Sequence, residues 1–385
     1  MSGLRLEMFK AIQDPVWGYL EIPEQFIKII DTKDFQRLHW IRQLGLCYLV
    51  YPGAVHTRFQ HSLGTMHLAS LFGEKLNTEH KTELALSALL HDIGHFPFSH
   101  SFEDYFKQTM NKDHESVGID IIMGKTEDQA VALEIEKIGV DPSVLVHILK
   151  GDKPEFSIES SIVSGSLDAD EMDYLVRDSY FTGAGNLSLS IKRLIDIIRS
   201  DGDELYIEEK GVTSVESILI SRLLMHKSVY FHKTAKIAQK MIERSLWRYS
   251  GTPDSIYRTT DGLLLEKLKN DNNCKETIDD IENRRLLKII FKTDKVKMNE
   301  NEISEILRKQ FPDLIVDFIP PLSFLDRKKT KDEVLVKIGN ELVNISDVSP
   351  LLNSLYESFN RRTLYVYGES KYLDSQEKLK KLLIN

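Results

Sequence analysis

The decapeptide His91-Asp92-Ile93-Gly94-His95-Phe96-Pro97-Phe98-Ser99-His100 constrains this chain more than any other segment. An apolar run, Leu84-Ala85-Leu86-Ser87-Ala88-Leu89-Leu90, leads into it and reads as a helix delivering an adjacent His–Asp pair at its C-terminal end. A histidine at a helix end complements the helix dipole, which would account for one imidazole. It does not account for three imidazoles and a carboxylate within ten residues. Imidazole nitrogen and carboxylate oxygen form a donor set for Mn, Fe, Zn, Ni or Mg rather than for thiolate chemistry. Neighbouring helical residues point about 100° apart. His91 and Asp92 therefore reach one divalent ion only where the helix ends, and Gly94 and Pro97 supply that ending.

Further ligands are expected upstream. His56-Thr57-Arg58-Phe59-Gln60-His61-Ser62-Leu63-Gly64 precedes a helical pattern running to about Leu76, with His61 at its start. A lone histidine there is usually a cap or a surface residue; one helix before a His–Asp cluster it is a candidate ligand. Arg58, three residues earlier, would stand beside the ion, where a guanidinium fork suits a phosphate.

Organisation along the chain reads as a large helical region followed by a smaller mixed one. Helical spacing recurs at about 24–30, 33–44, 61–76, 81–92, 100–110, 114–124, 127–138, 142–149, 158–164, 168–177, 189–199 and 213–249. The alternation Trp17–Ile22 suits a small hairpin with a neighbour, and Leu205–Gly211 a short hairpin arm. After Gly251 the pattern changes, with strands expected at Leu314–Ile319, Val334–Ile338 and Thr363–Gly368. The expectation is a mainly α chain, with a core over residues 1–250 and a C-terminal α+β accessory region over 251–385. The basic run Arg327-Lys328-Lys329-Thr330-Lys331 reads as a solvated loop. Two cysteines, Cys47 and Cys274, exclude a disulfide framework and a cysteine zinc site. No apolar run approaches a membrane span, and Met1–Glu7 lacks the apolar core of a signal peptide, so a cytoplasmic location is expected. A net charge of −9 argues against nucleic acid as the main partner. An anionic substrate must then be met by a local positive site.

His61, then His91-Asp92, then an isolated aspartate downstream is the order of the HD-domain metal-dependent phosphohydrolases. Six ordered blocks narrow the resemblance: Asp31–Leu38, Gln43-Leu44-Gly45, His56–Gly64, His91–His100, Leu167–Tyr174, and Arg222 with His226, Tyr230, His232 and Lys233. Between about Lys10 and Ile242 the chain is similar to the deoxynucleoside triphosphate triphosphohydrolases, and the similarity thins over the last third. It implies an HD-domain helical core and a single divalent ion held by His61, His91, Asp92 and Asp170. Asp168 is left to cap a helix.

The same resemblance implies His114, oriented by Glu103, as general acid, with His95 and His100 beside the phosphates. Tyr174 and Asp178 lie one helical turn apart and suit a deoxyribose ring and its 3′-hydroxyl. Gln43 and Leu44 resemble the pair that binds this hydroxyl and fills the space a 2′-hydroxyl would need. Arg222, His226, Tyr230, His232 and Lys233 match a region that meets phosphates and base. One departure stands out: Glu171 follows the ligand aspartate where relatives carry lysine, and Lys227 and Arg177 are the candidates to replace that charge.

The implied reaction is hydrolysis of a deoxynucleoside triphosphate to deoxynucleoside and inorganic triphosphate. The alternatives are a general HD phosphohydrolase acting on nucleoside monophosphates or phosphodiesters, and a nucleotide sensor without turnover. The resemblance further implies a homo-oligomer, dimer or tetramer, with a nucleotide effector at Lys10, Asp31 and Gln36. His39 and Gln13 stand where the family's pattern has Arg and Asn, which alters the expected effector specificity.

Overall fold

A computed structural model of the protein describes residues 9–184, 190–321, 334–359 and 361–384. The N-terminal segment Met1–Glu7 and the basic run Arg327–Lys331 lie outside the described residues.

At the centre is the helix Lys81–Leu90, whose residues from Leu84 onward are all buried. A helix apolar all round belongs inside a bundle, and this one packs against the helices Arg58–Leu76, Pro142–Lys150 and Ser157–Ser164. Arg58–Leu76 begins where Gln60 Oε1 accepts the Thr57 amide at 3.0 Å and ends on Asn77 in the left-handed region. It lies against Ala169–Thr182, which starts at Asp168. The Asp168 carboxylate accepts the Glu171 amide at 2.6 Å. The crossing is close: a Cβ on Gly64 would meet Asp173 Oδ1 at 1.9 Å and Arg177 Nη2 at 2.5 Å.

Three sheets decorate this bundle. Phe9–Asp14 and Gly18–Pro23 form an antiparallel hairpin. Ile198–Asp201, Glu204–Glu208, Leu335–Ile338 and Glu341–Asn344 form a four-stranded sheet whose central pair is parallel. Lys288–Thr293, Thr363–Gly368 and Ile315–Ile319 form an antiparallel sheet with Thr363–Gly368 in the middle. This last sheet encloses a small core of its own with Ile303, Leu307 and Leu379. Ile256, Leu264, Leu268, Cys274 and Ile278 pack instead into the same core as Leu86, Phe96 and Met241.

The mainly α architecture with a smaller sheet-bearing C-terminal part agrees with the sequence reading, but several elements differ. The helix expected over 33–44 stops at Arg37, tightens into a 3-10 turn at Leu38–Trp40, and gives way to Gly45–Leu49. The single helix expected over 213–249 is broken. Val212–Met225 widens into a π turn at His226–Tyr230, and a new helix begins at Lys233. π turns interrupt helices frequently at functional sites. Sequence reading missed the helices Asp261–Lys269, Lys275–Glu282, Glu300–Gln310 and Gln376–Leu383 and the strand Lys288–Thr293. These are short and highly charged, so their apolar stripe is only two or three residues wide.

Candidate active site

His61 lies in the first turn of Arg58–Leu76, His91 and Asp92 at the end of Lys81–Leu90, and Asp170 in the first turn of Ala169–Thr182. Packing of these helices brings all four together. One ligand atom each from His61, His91 and Asp92 falls within 4.8 Å of the others. Asp170 Oδ1 lies 2.8 Å from His61 Nε2 and 3.7 Å from His91 Nε2. Each imidazole is fixed from behind: His61 Nδ1 sits 2.8 Å from Asp173 Oδ2, and His91 Nδ1 is 2.8 Å from the Ala88 carbonyl. An acceptor on Nδ1 is what orients a metal-bound histidine through Nε2. Both Nε2 atoms are buried and make no hydrogen bond, His61 included, because its 2.8 Å approach to Asp170 is poorly aligned.

The charges agree. Burial opposes protonation of His61, but Asp170, Asp173 and Asp92 outweigh it and raise its pKa to about 10. Burial likewise opposes ionisation of Asp170, yet His61 and His91 hold its carboxyl below the usual range. So concentrated a set of carboxylates demands positive charge at the two Nε2 atoms. A divalent cation fits both the donor set and that demand.

Asp92 also accepts a 2.6 Å bond from Arg58 Nη1. Burial works against its ionisation, and Arg58, His91 and His95 overcome this to hold the carboxyl well below the usual carboxylate range. Arg58 Nε donates at 2.9 Å to Ser99 Oγ, and the Ser99 hydroxyl donates at 2.8 Å to the Arg42 carbonyl. Phe98 and Ser99 both hold positive φ, 62° and 57°. Two consecutive non-glycine residues in that region are strained, and such strain persists where the surroundings impose it. Here Asp261 imposes it, accepting the Phe98 and Arg42 amides at 2.6 and 3.0 Å. Arg37 completes the frame by donating to the Ile93 and His95 carbonyls at 3.1 and 2.7 Å. Gly94 serves a close approach as much as a helix ending: a Cβ there would lie 2.1 Å from the His114 carbonyl and 2.3 Å from the Gly118 amide.

His114 begins the helix His114–Ile122, and its Nδ1 makes a very short contact with Glu103 Oε1. The other Glu103 oxygen is 3.0 Å from His100 Nδ1. Burial disfavours a charged Glu103, but the two imidazoles dominate and lower its pKa. His95 stacks on His114 with ring centroids 4.2 Å apart. Burial, with Arg58 adding to it, drives the His95 pKa well down and keeps that ring neutral.

A cavity of about 700 Å³ opens over the cluster. Its wall includes Arg58, His91, Asp92, Asp170, His100, His114, Gln43, Leu44, Tyr174, Asp178, His226 and Tyr230. His61, His95 and Glu103 sit behind that wall as supports. Asp178 is engaged on both oxygens, by His56 Nε2 at 2.6 Å and by the Tyr230 hydroxyl at 2.8 Å. Three of the residues expected to bind substrate are not brought to the wall. Arg222 pairs with Glu171 at 3.3 Å, His232 accepts the Thr234 amide at 3.3 Å to start a helix, and Lys233 is exposed. Arg177 cannot replace the lost lysine, because it is wholly buried between Asp173 and Asp14. Lys10 and Asp31 are exposed, and the Gln36 amide is used locally on the Ile30 carbonyl.

Sequence reading missed Asp173, Asp14, Trp17, His56 and Asp261. Asp173 carried a signal, since it lies one helical turn after Asp170 and shares its face. The others act from 122 to 219 residues away and left none.

Family models for the HD domain and for an HD associated region match residues 58–173 and 189–383. An uncharacterised protein of Methanocaldococcus jannaschii is 32% identical over 98% of this chain and 81% of its own length. The chain belongs to the HD-domain family. Deoxynucleoside triphosphate triphosphohydrolase SAMHD1 of Gallus gallus is 28% identical over 91% of the chain and 67% of its own length. A solved phosphohydrolase of Bacteroides thetaiotaomicron superposes with a TM-score of 0.74 at 25% identity, covering 94% of this chain and all of that one. HD-type, metal-dependent phosphohydrolysis is the activity class of the chain. Among the described residues, no helix is long and apolar enough to cross a membrane.

Proposed function

We propose that the protein hydrolyses deoxynucleoside triphosphates to deoxynucleoside and inorganic triphosphate. One observation carries this reading. A single cavity is bordered at once by the His91-Asp92 and Asp170 cluster, by His114, and by the sugar-sized group of Gln43, Leu44, Tyr174 and Asp178.

A divalent ion bound by His61, His91, Asp92 and Asp170 would supply Lewis acidity and lower the pKa of a coordinated water. The remaining roles fall to the chain itself. Arg58, aligned by Asp92 and Ser99, presents its fork to a phosphate. His114, with Nδ1 held by Glu103, directs Nε2 toward the leaving oxygen as general acid. Leu44 and Tyr174 crowd the 2′-position, and Asp178, with lone pairs beyond those used by His56 and Tyr230, accepts the 3′-hydroxyl. The exposed side chains of Phe9, Tyr19 and Trp40 support a homo-oligomer. A cytoplasmic setting and a nucleotide effector near Lys10, Asp31 and Gln36 belong to the same reading.

The Glu171–Arg222 pair favours a second reading. A cation lost to a neighbouring carboxylate weakens the hold on a triphosphate and suits a smaller phosphate ester. Product analysis separates the two. Purified enzyme with added metal is expected to release inorganic triphosphate from deoxynucleotides and to act far more slowly on ATP than on dATP. Release of monophosphate, or equal rates on ATP and dATP, would replace the first reading by the second.

A further inference from the structure

Beyond the sugar-sized group, the cavity continues past Gly45 toward the helix Lys233–Leu246. There its wall is made of Leu46, Cys47, Phe231 and Ala235, with Lys236 and Gln239 as the polar members. The order of the wall follows the chain. Gln43 and Leu44 run directly into Gly45–Leu49, and that turn packs on Lys233–Leu246. Leu149, Lys150, Val163 and Ser164 belong to helices on the other side, packed on Lys81–Leu90. A deoxynucleotide with its phosphates at the metal cluster and its sugar at Tyr174 and Leu44 therefore lays its base in this apolar slot.

Lys236 is held there with unusual definition for a lysine. Its side chain is 14% exposed, and Nζ donates to Gln239 Oε1 at 3.3 Å. The Gln239 amide is itself oriented, because Nε2 donates to the Ser101 carbonyl at 2.8 Å. From the C-terminal sheet, Asp317 Oδ1 reaches Nζ at 3.7 Å. Asp317 is 2% exposed and accepts the Tyr367 hydroxyl at 3.0 Å, which fixes the carboxylate. An ammonium has three donors and no acceptor. One is directed at Gln239, and Asp317, shared with Lys240 Nζ at 3.8 Å, holds the charge as an ion pair rather than a hydrogen bond, which leaves donors for the cavity that the side chain lines.

We propose that Lys236 reads the base, favouring those that present a keto oxygen (guanine, thymine) over those that present an exocyclic amine (adenine, cytosine). The inference rests on the deoxynucleotide reading above. Guanine O6 and thymine O4 accept a hydrogen bond, whereas adenine N6 and cytosine N4, at the same ring positions, donate one and meet the ammonium donor to donor; N7 accepts in both purines and does not discriminate. Asp317 is a positioning residue in this scheme: it acts through Lys236 and ties base choice to the C-terminal sheet.

The test measures kcat/KM for dGTP, dTTP, dATP and dCTP with wild type, Lys236→Met, Lys236→Arg and Asp317→Asn. A parallel arm measures binding of deoxyguanosine and deoxyadenosine to the metal-loaded proteins by calorimetry. Wild type is expected to prefer dGTP to dATP and dTTP to dCTP. The preference falls roughly 5- to 100-fold in Lys236→Met, the range for one good base-edge contact. Lys236→Arg retains most of it, and Asp317→Asn loses part of it with a cooperative melt preserved. An equal loss on all four nucleotides, which a purely structural role would give, overturns the proposal. If wild type hydrolyses none of the four, the function proposed above fails and nucleoside binding decides the base reading. Tighter deoxyguanosine binding that vanishes in Lys236→Met upholds it; equal binding of the two nucleosides overturns it.

Discussion

Asp173 joins the stability of the fold to the metal centre, so Asp173→Asn separates this account from a simpler one in which His61 alone matters. Four donors converge on its carboxylate. Oδ2 receives Arg177 Nε at 2.8 Å and faces His61 Nδ1 at 2.8 Å, while Oδ1 receives Arg177 Nη2 at 2.9 Å and Trp17 Nε1 at 2.5 Å. Both Asp173 and Arg177 are fully buried. Asparagine keeps the shape, but its amide nitrogen must face two of these donors. Two charge-assisted bonds are lost, at about 1.5–3 kcal/mol each, and a buried guanidinium keeps only Asp14 as its counter-charge. The sum, about 3–6 kcal/mol, overlaps the usual cost of breaking a buried ion pair, about 3–5 kcal/mol. His61 keeps at best a neutral carbonyl in place of its charged anchor, and losses behind a ligand histidine weaken metal binding by roughly 10–100-fold. Asp14→Asn is the control. It touches Arg177 at 2.8 Å but not His61, so it should destabilise the fold and leave metal affinity unchanged. Urea unfolding and competitive metal titration measure the two effects. An Asp173→Asn protein within about 1 kcal/mol of wild type and with unaltered metal affinity would refute the reasoning.

Asp92→Ala and Asp170→Ala should each lose bound metal together with activity, and full metal occupancy in both would remove them from the ligand set. His114→Ala should slow turnover by roughly 10²–10⁴-fold with metal content intact, with a milder loss in Glu103→Ala; near-normal turnover in His114→Ala would argue against the acid role. Burial raises the Cys47 thiol to about 12 and the Cys274 thiol to about 11. Both should therefore resist iodoacetamide at pH 8 in the native protein, with alkylation accelerating as pH rises through 11–12 or when urea unfolds the chain. Rapid native labelling at pH 8 would show that these sites open.

The sequence alone named the residues of the candidate centre, because the residue types and their order are one-dimensional facts. His61, His91-Asp92 and Asp170 could be named before any fold was known, and the helices that carry them announced themselves through long apolar runs. The strands at Ile315–Ile319 and Thr363–Gly368 were legible for the same reason, as short β-branched and aromatic runs beside turn residues. Tertiary structure decided what those residues face. Glu171 neutralises Arg222, Arg177 is spent on Asp14 and Asp173, and Lys236 enters the cavity under the hold of Asp317. Asp261 fixes the strained Phe98 from 163 positions away. Such pairings depend on which surfaces meet when helices pack, and a carboxylate has the same local sequence signature whether it caps a helix, binds an ion or restrains a distant loop. Periodicity says which face of a helix is buried; only packing says against what.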